Sequence, residues 1–213
     1  MTLITAESWK RLWGELGARE VNGGLMNQLV AAYSERHRHY HTLQHLRECL
    51  ALFEAAAPVA ARAPEVELAL WFHDAVYDPR ADDNEARSAT WAEAAVQAAG
   101  CDSAIARRVG DLVRATAHQL PPAVEGPDVD LLQDIDLAIL GSAPARFDES
   151  SRQIRAEYAH VPEDTFRARR ADFLRSLLAR PVLYRTEVFR APLEAGARAN
   201  LQRALDALSS PAT

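Results

Sequence analysis

Apolar residues recur along most of the chain at the three- and four-residue spacing of helices with one buried face. Alternating apolar and polar runs flanked by Asn-Gly or Asp-Gly turns, which would indicate β-hairpins, are absent. The pattern therefore predicts an all-α protein. We predict ten helices, over about residues 6–16, 25–36, 42–57, 64–77, 84–100, 103–118, 129–140, 145–159, 163–179 and 192–208.

Residues typical of helix ends support several of these boundaries. Thr42 can accept a hydrogen bond as an N-cap, Pro64 suits a first helical turn, and Gly100 suits the position after a helix. No repeat or low-complexity linker divides the sequence. We therefore expect one helical domain over residues 1–213, with a frayed tail at 209–213.

Composition narrows the class of protein further. The chain has 213 residues and a net charge of −6, which disfavours binding to duplex nucleic acid. It contains no run of about 20 apolar residues, so we expect no membrane span, and no targeting segment is visible. Two cysteines, Cys49 and Cys101, cannot form a disulfide framework and are typical of buried or idle thiols in a reducing cytoplasm.

Several polar residues stand where burial would be costly. His41 and His45 are four residues apart, so both would face the same side of a helix. His73 and Asp74 end the apolar run that starts at Leu68, and Asp136 lies within another apolar stretch. Burying such groups without partners is unfavourable, and a bound cation would remove the penalty.

These segments, in this order, resemble the HD-domain metal-dependent phosphohydrolases, and in particular a group of small stand-alone bacterial members. The resemblance covers about residues 30–205. The segments that carry it are residues 38–45, 71–77, 84–89, 134–141, 154–158 and 197–201. It implies a helical bundle of the HD type.

The resemblance also implies a metal site. It makes His45, His73, Asp74 and Asp136 the ligands of a divalent ion, and two imidazoles with two carboxylates suit first-row ions. The residues do not distinguish Mn, Fe, Co, Mg, Ni and Zn. His118 is the one histidine between His73 and Asp136, which favours a single ion with at most a weak second position.

Catalytic roles follow from the same resemblance. His41 matches the acid that protonates the leaving oxygen in cyclic-nucleotide phosphodiesterases, although Thr42 replaces their asparagine; the alternative is a hydrogen bond to a metal ligand. Asp74 is expected to bridge to the metal or orient water. Asp78 either positions the attacking water or forms a turn, and Glu85 either contributes to the active site or favours the helix dipole.

Four residues are candidates for binding the substrate, namely His118, Arg38, Arg155 and Arg198. A guanidinium can hold phosphate oxygens with two parallel hydrogen bonds. The alternative is that these arginines pair within the protein, for example Arg198 with Glu194 four residues before it.

The expected function is thus hydrolysis of a small phosphoester, with a nucleotide as the substrate that the resemblance implies. Two alternatives stay open at this point. One is a di-iron HD-type oxygenase, and the other is a non-catalytic module that binds a metal or a nucleotide. The oligomeric state is also open, with a homodimer among the alternatives.

Overall fold

The computed structural model describes residues 4–118 and 123–209. Within these residues the chain has ten α-helices, two short 3-10 segments and no β-strand. The prediction of an all-α protein is confirmed. None of the described helices combines the length and hydropathy needed to cross a membrane. The helices are α1 (Ala6–Glu15), α2 (Leu25–Ala32), α3 (Leu43–Ala56), α4 (Ala63–Phe72), α5 (Asn84–Ala98), α6 (Ser103–Arg114), α7 (Pro127–Asp136), α8 (Pro144–Glu157), α9 (Glu163–Leu178) and α10 (Glu187–Ser209); the 3-10 segments are Ala57–Val59 and Leu137–Gly141.

The residues predicted to end helices do so. The Thr42 side chain accepts a hydrogen bond from the Gln44 N–H at the start of α3. Gly100 has a φ of +72°, the left-handed conformation that glycine adopts most easily after a helix. The predicted frayed tail lies outside the described residues, apart from Ser209, which ends α10.

Some boundaries differ from prediction. Helix α4 ends at Phe72, five residues early, so His73 and Asp74 lie just beyond its last turn. Helix α10 begins at Glu187, before its internal proline, Pro192. The reason is Asp134, whose carboxylate accepts hydrogen bonds from the N–H and the hydroxyl of Thr186, immediately before α10. This partner lies 52 residues away along the chain, beyond the reach of local sequence patterns.

The chain divides into two compact units, residues 1–133 and 134–213. In the first unit α4 is central and packs against α1, α3, α5 and α6. Its residues Val66 and Leu68–Phe72 are all buried, as expected for a helix that is apolar on every side.

Two carboxylates share this buried helix, and each is paired. Glu65 accepts two hydrogen bonds from Arg108 on α6, at 2.6 and 2.7 Å. Glu67 accepts two from Arg11 on α1, both at 2.8 Å. Two nitrogens of Arg108 hold Glu65 and one nitrogen of Arg11 holds Glu67, and these charge-assisted hydrogen bonds offset part of the penalty for removing the carboxylates from water. The pairs therefore join α4 to two of its neighbours.

In the second unit, α10 packs against α9 and against the 3-10 segment Leu137–Gly141, which α8 also contacts. The Asn200 side chain donates hydrogen bonds to the carbonyl oxygens of Leu140 and Ser142, both at 2.9 Å. Gly141 approaches α10 closely: a Cβ on Gly141 would lie 2.6 Å from the Leu193 Cβ and 2.9 Å from the Leu193 carbonyl oxygen.

We expect the substitution Gly141→Ala to lower the free energy of unfolding by about 1–3 kcal/mol, because the added methyl group overlaps backbone atoms that cannot move without shifting α10. Denaturant unfolding measures the effect. Gly14→Ala is the matched control, since nothing lies within 4 Å of its added methyl and alanine favours the helix. Equal stability of Gly141→Ala and the native chain would contradict the close approach.

Candidate metal centre

Two neighbouring helices of the first unit bring the predicted histidines together. His45 lies in the first turn of α3, which Thr42 caps, and its side chain is buried. His73 follows the last residue of α4 and is also buried. Because α3 packs against α4, the two imidazoles meet, and Asp74 next to His73 reaches the same point.

Three electron-rich atoms face one another there. The His45 Nε2 lies 3.0 Å from the His73 Nε2. The Asp74 Oδ2 lies 3.0 Å from the His73 Nε2 and 3.5 Å from the His45 Nε2. The Asp74 Oδ2 is buried, and it has no hydrogen-bond partner among the residues that the structure describes.

The proton on His73 can be placed from its surroundings. Its Nδ1 lies 2.8 Å from the Leu70 carbonyl oxygen, which can only accept a hydrogen bond, so Nδ1 carries the hydrogen. In the neutral imidazole, Nε2 then presents a lone pair toward the Asp74 carboxylate. Two facing lone pairs repel unless a proton or a cation lies between them. Metal-binding histidines commonly make the same hydrogen bond to a backbone carbonyl.

The donor spacing fits a divalent cation. First-row ions bind imidazole nitrogen and carboxylate oxygen at about 2.0–2.2 Å, which separates neighbouring donors by about 3.0 Å at a right angle and about 3.4 Å at the tetrahedral angle. The three distances among His45, His73 and Asp74 run from 3.0 to 3.5 Å. Both the chemistry and the spacing of these side chains therefore fit a bound metal ion.

Another side chain, Cys49, lies close to the two histidines. Its Sγ lies 3.7 Å from each ring nitrogen of His45. One ligand atom from each of His45, Cys49 and His73 lies within 4.8 Å of the others, and all three residues are buried. Cys49 is buried, one of the two predicted alternatives. A role as a ligand was not predicted, although Cys49 follows His45 by four residues and shares its helix face.

The electrostatic surroundings keep Asp74 ionised. Burial alone would raise the pKa of its carboxyl, but the positive charge that His73, His41 and His45 carry when protonated outweighs burial and lowers the pKa below its ordinary value. The carboxylate is thus negatively charged at neutral pH, the form that binds a metal ion.

Arg38 holds the backbone around the site. Its guanidinium is fully buried and donates hydrogen bonds to the carbonyl oxygens of Asp74 at 2.6 Å, Ala75 at 3.0 Å and His41 at 3.2 Å. It thereby joins the segment before α3 to the turn after α4. The predicted contact between Arg38 and a substrate phosphate stays a prediction, which these hydrogen bonds do not favour.

His41 lies beside the metal-binding group. Its ring stacks on the Tyr77 ring, with centroids 4.1 Å apart, and its centroid lies 6.1 Å from that of His45. The side chain is partly exposed, unlike the buried His45 and His73. This placement suits either role predicted for His41.

The other candidates of the first unit lie in loops or at helix ends. Asp78 is exposed, and its Oδ1 accepts a hydrogen bond from the Arg80 N–H at 2.9 Å, which is the geometry of a turn-forming aspartate. Glu85 is the second residue of α5 and is half-buried. His118 is also half-buried, beyond the end of α6. The catalytic and binding roles of these three residues stay predictions.

The two candidate arginines of the second unit form internal hydrogen bonds. Arg198 pairs with Glu194 at 2.7 Å, as the alternative interpretation of that residue predicted, and also donates to the Arg180 carbonyl oxygen. Arg155 donates to Glu163 and to the Tyr158 carbonyl oxygen beyond the end of α8. Their roles in binding a substrate stay predictions.

Asp136, the fourth ligand that the resemblance implies, is the last residue of α7 and is half-buried. The boundary between the two units falls inside this helix, after Gln133.

Comparison of the chain with protein-family models, with curated protein sequences and with solved structures gave no match.

We expect Arg38→Met to lower the free energy of unfolding by about 2–3 kcal/mol, because it leaves buried carbonyl oxygens at Asp74 and Ala75 without donors. Denaturant unfolding is the measurement. Arg36→Met, at an exposed position of the same segment, is the control and should differ little from the native chain. If both variants are equally stable, the hydrogen bonds of Arg38 do not hold this turn.

Proposed function

We propose that this protein is a metal-dependent hydrolase of a small phosphoester, with a nucleotide as the substrate class. The observation that carries the proposal is the convergence of the His45 Nε2, the His73 Nε2 and the unpartnered Asp74 Oδ2 within 3.0–3.5 Å. The resemblance to HD-domain enzymes supplies the reaction and the substrate class.

His45, His73 and Asp74 have distinct proposed roles. His45, His73 and Asp74 would hold the ion through two nitrogens and one oxygen. A divalent ion at such a site lowers the pKa of water and polarises a phosphoryl oxygen. The ionised Asp74 can also accept a hydrogen bond from water through its other oxygen, Oδ1, and so orient that water toward the phosphorus.

Asp136 is the proposed fourth ligand, which the resemblance to HD-domain enzymes implies. Its carboxylate would complete a set of two imidazoles and two carboxylates, which suits first-row divalent ions.

His41 is the proposed general acid. An imidazole changes charge near neutral pH and can therefore give a proton to the leaving alkoxide and regain it from water. Stacking on Tyr77 holds the ring beside the metal-binding group, and its partial exposure leaves it accessible to a substrate. Because His41 is not one of the three proposed ligands, it can act on the substrate while His45 and His73 hold the ion.

The first test measures hydrolysis of nucleoside monophosphates and other small phosphoesters with Mn²⁺, Co²⁺, Mg²⁺ or Fe²⁺ added. We expect metal-dependent release of phosphate by the native chain. His73→Ala should reduce both bound metal and turnover by more than the roughly 10–100-fold that loss of a residue supporting a ligand causes. His160→Ala, which removes an exposed histidine of the second unit, is the control and should retain both.

Two results would count against the proposal. A metal-replete protein without activity on any of these esters would favour a non-catalytic binding module. Unchanged metal content in His73→Ala would show that the ion binds elsewhere. Two irons per chain with an optical absorption band would instead favour the oxygenase.

The second test concerns Asp136. We expect Asp136→Asn to weaken Mn²⁺ binding by at least about tenfold, since the amide has the same shape but lacks the charge. Isothermal titration of metal-free protein measures the affinity. Asp130→Asn, one to two turns earlier on α7, is the control and should bind Mn²⁺ as the native chain does. Equal affinities of all three proteins would exclude Asp136 as a ligand.

A further inference from the structure

Cys49 combines burial with a place inside the group of ligand atoms. Its side chain is 1% exposed. Four residues after His45 on α3, it faces the same side of the helix, and its Sγ and one ligand atom each of His45 and His73 lie within 4.8 Å of one another. Cysteine is one of the residue types that bind metal ions in proteins. One histidine of this group, His73, also lies 3.0 Å from the Asp74 Oδ2, which is buried without a hydrogen-bond partner.

The distance from the sulfur to one nitrogen of His45 is close to that between two ligands of a shared ion. With metal–sulfur and metal–nitrogen bonds of about 2.3 and 2.0–2.1 Å, the sulfur and nitrogen lie about 3.5–3.6 Å apart at the tetrahedral angle. The Cys49 Sγ lies 3.7 Å from the His45 Nε2. It is equally far from the His45 Nδ1, so the sulfur lies off the axis of the Nε2 lone pair, and binding an ion on that lone pair would require a rotation of the Cys49 or His45 side chain.

We propose that Cys49 binds the ion as a thiolate together with His45 and His73, and that the site therefore prefers Zn²⁺, Co²⁺ or Fe²⁺ to Mg²⁺ and Mn²⁺. This inference rests on the metal site of the proposed function and goes beyond it, because it adds a ligand and narrows the ion. As the sulfur–metal bond forms, the thiol proton leaves to solvent. Thiolate and imidazole ligands favour these ions, whereas Mg²⁺ and Mn²⁺ favour oxygen ligands.

The test is a titration of metal-free protein with Co²⁺, followed by absorption spectroscopy. A thiolate bound to Co²⁺ gives an intense near-ultraviolet charge-transfer band that nitrogen and oxygen ligands do not give. The chain contains two cysteines, Cys49 and Cys101. We expect the band in the native chain and at equal intensity in Cys101→Ser, where Cys49 is the one remaining source.

Cys49→Ser provides the complementary measurement. We expect it to lose the band and to reduce the preference for Co²⁺ over Mn²⁺, measured as the ratio of dissociation constants, by at least about tenfold. The hydroxyl keeps the size of the side chain close to that of the thiol. If this variant does not fold, the spectrum of Cys101→Ser decides the question alone.

The outcomes separate this inference from the proposed function. Stoichiometric Co²⁺ binding without the band overturns the thiolate ligand while leaving the histidine site in place. A band that is absent from Cys101→Ser but present in Cys49→Ser assigns the thiolate to Cys101 and also overturns it. If the native chain binds no Co²⁺ at all, both this inference and the metal site of the proposed function fail.

Discussion

The close approach of His45, His73 and Asp74 is the constraint that the surrounding part of the first unit must satisfy. Two imidazole nitrogens and a carboxylate oxygen lie within 3.0–3.5 Å of one another and away from water. The hydrogen bond from His73 to the Leu70 carbonyl prevents its Nε2 from acting as a donor while the ring is neutral. Either a proton or a cation must therefore stabilise the group, so its charge state and the fold are coupled.

The surrounding structure holds this group in place through backbone atoms. Helix α4 ends just before His73, and Arg38 donates hydrogen bonds to the carbonyl oxygens of Asp74 and Ala75, which follow it. Paired carboxylates at Glu65 and Glu67 fix α4 against α6 and α1. A ligand set is precise when its supporting residues are themselves fixed, and here charged residues outside the group provide that support.

Local patterns predicted the helices, because helical periodicity, caps and apolar runs are local signals. The grouping of His45 with His73 was predicted from the resemblance to HD-domain enzymes. Local patterns did not predict hydrogen bonds between residues distant in sequence. Asp134 accepts a hydrogen bond from Thr186, 52 residues away, before the start of α10. Arg38 donates hydrogen bonds to backbone carbonyl oxygens 36 and 37 residues away. Cys49 was within reach of sequence reasoning, but its spacing from His45 indicates a ligand only once the position of His73 is known.

Metal binding and stability should therefore rise together in this protein. The unfolded chain does not hold these donors within 3.0–3.5 Å, so an ion bound to the folded state raises the free energy of unfolding by an amount that grows with the logarithm of its concentration. A bound cation would offset the close approach of these lone pairs more fully than a shared proton does. Buried polar groups brought together in this way are the pattern expected of a functional site rather than of a packed core.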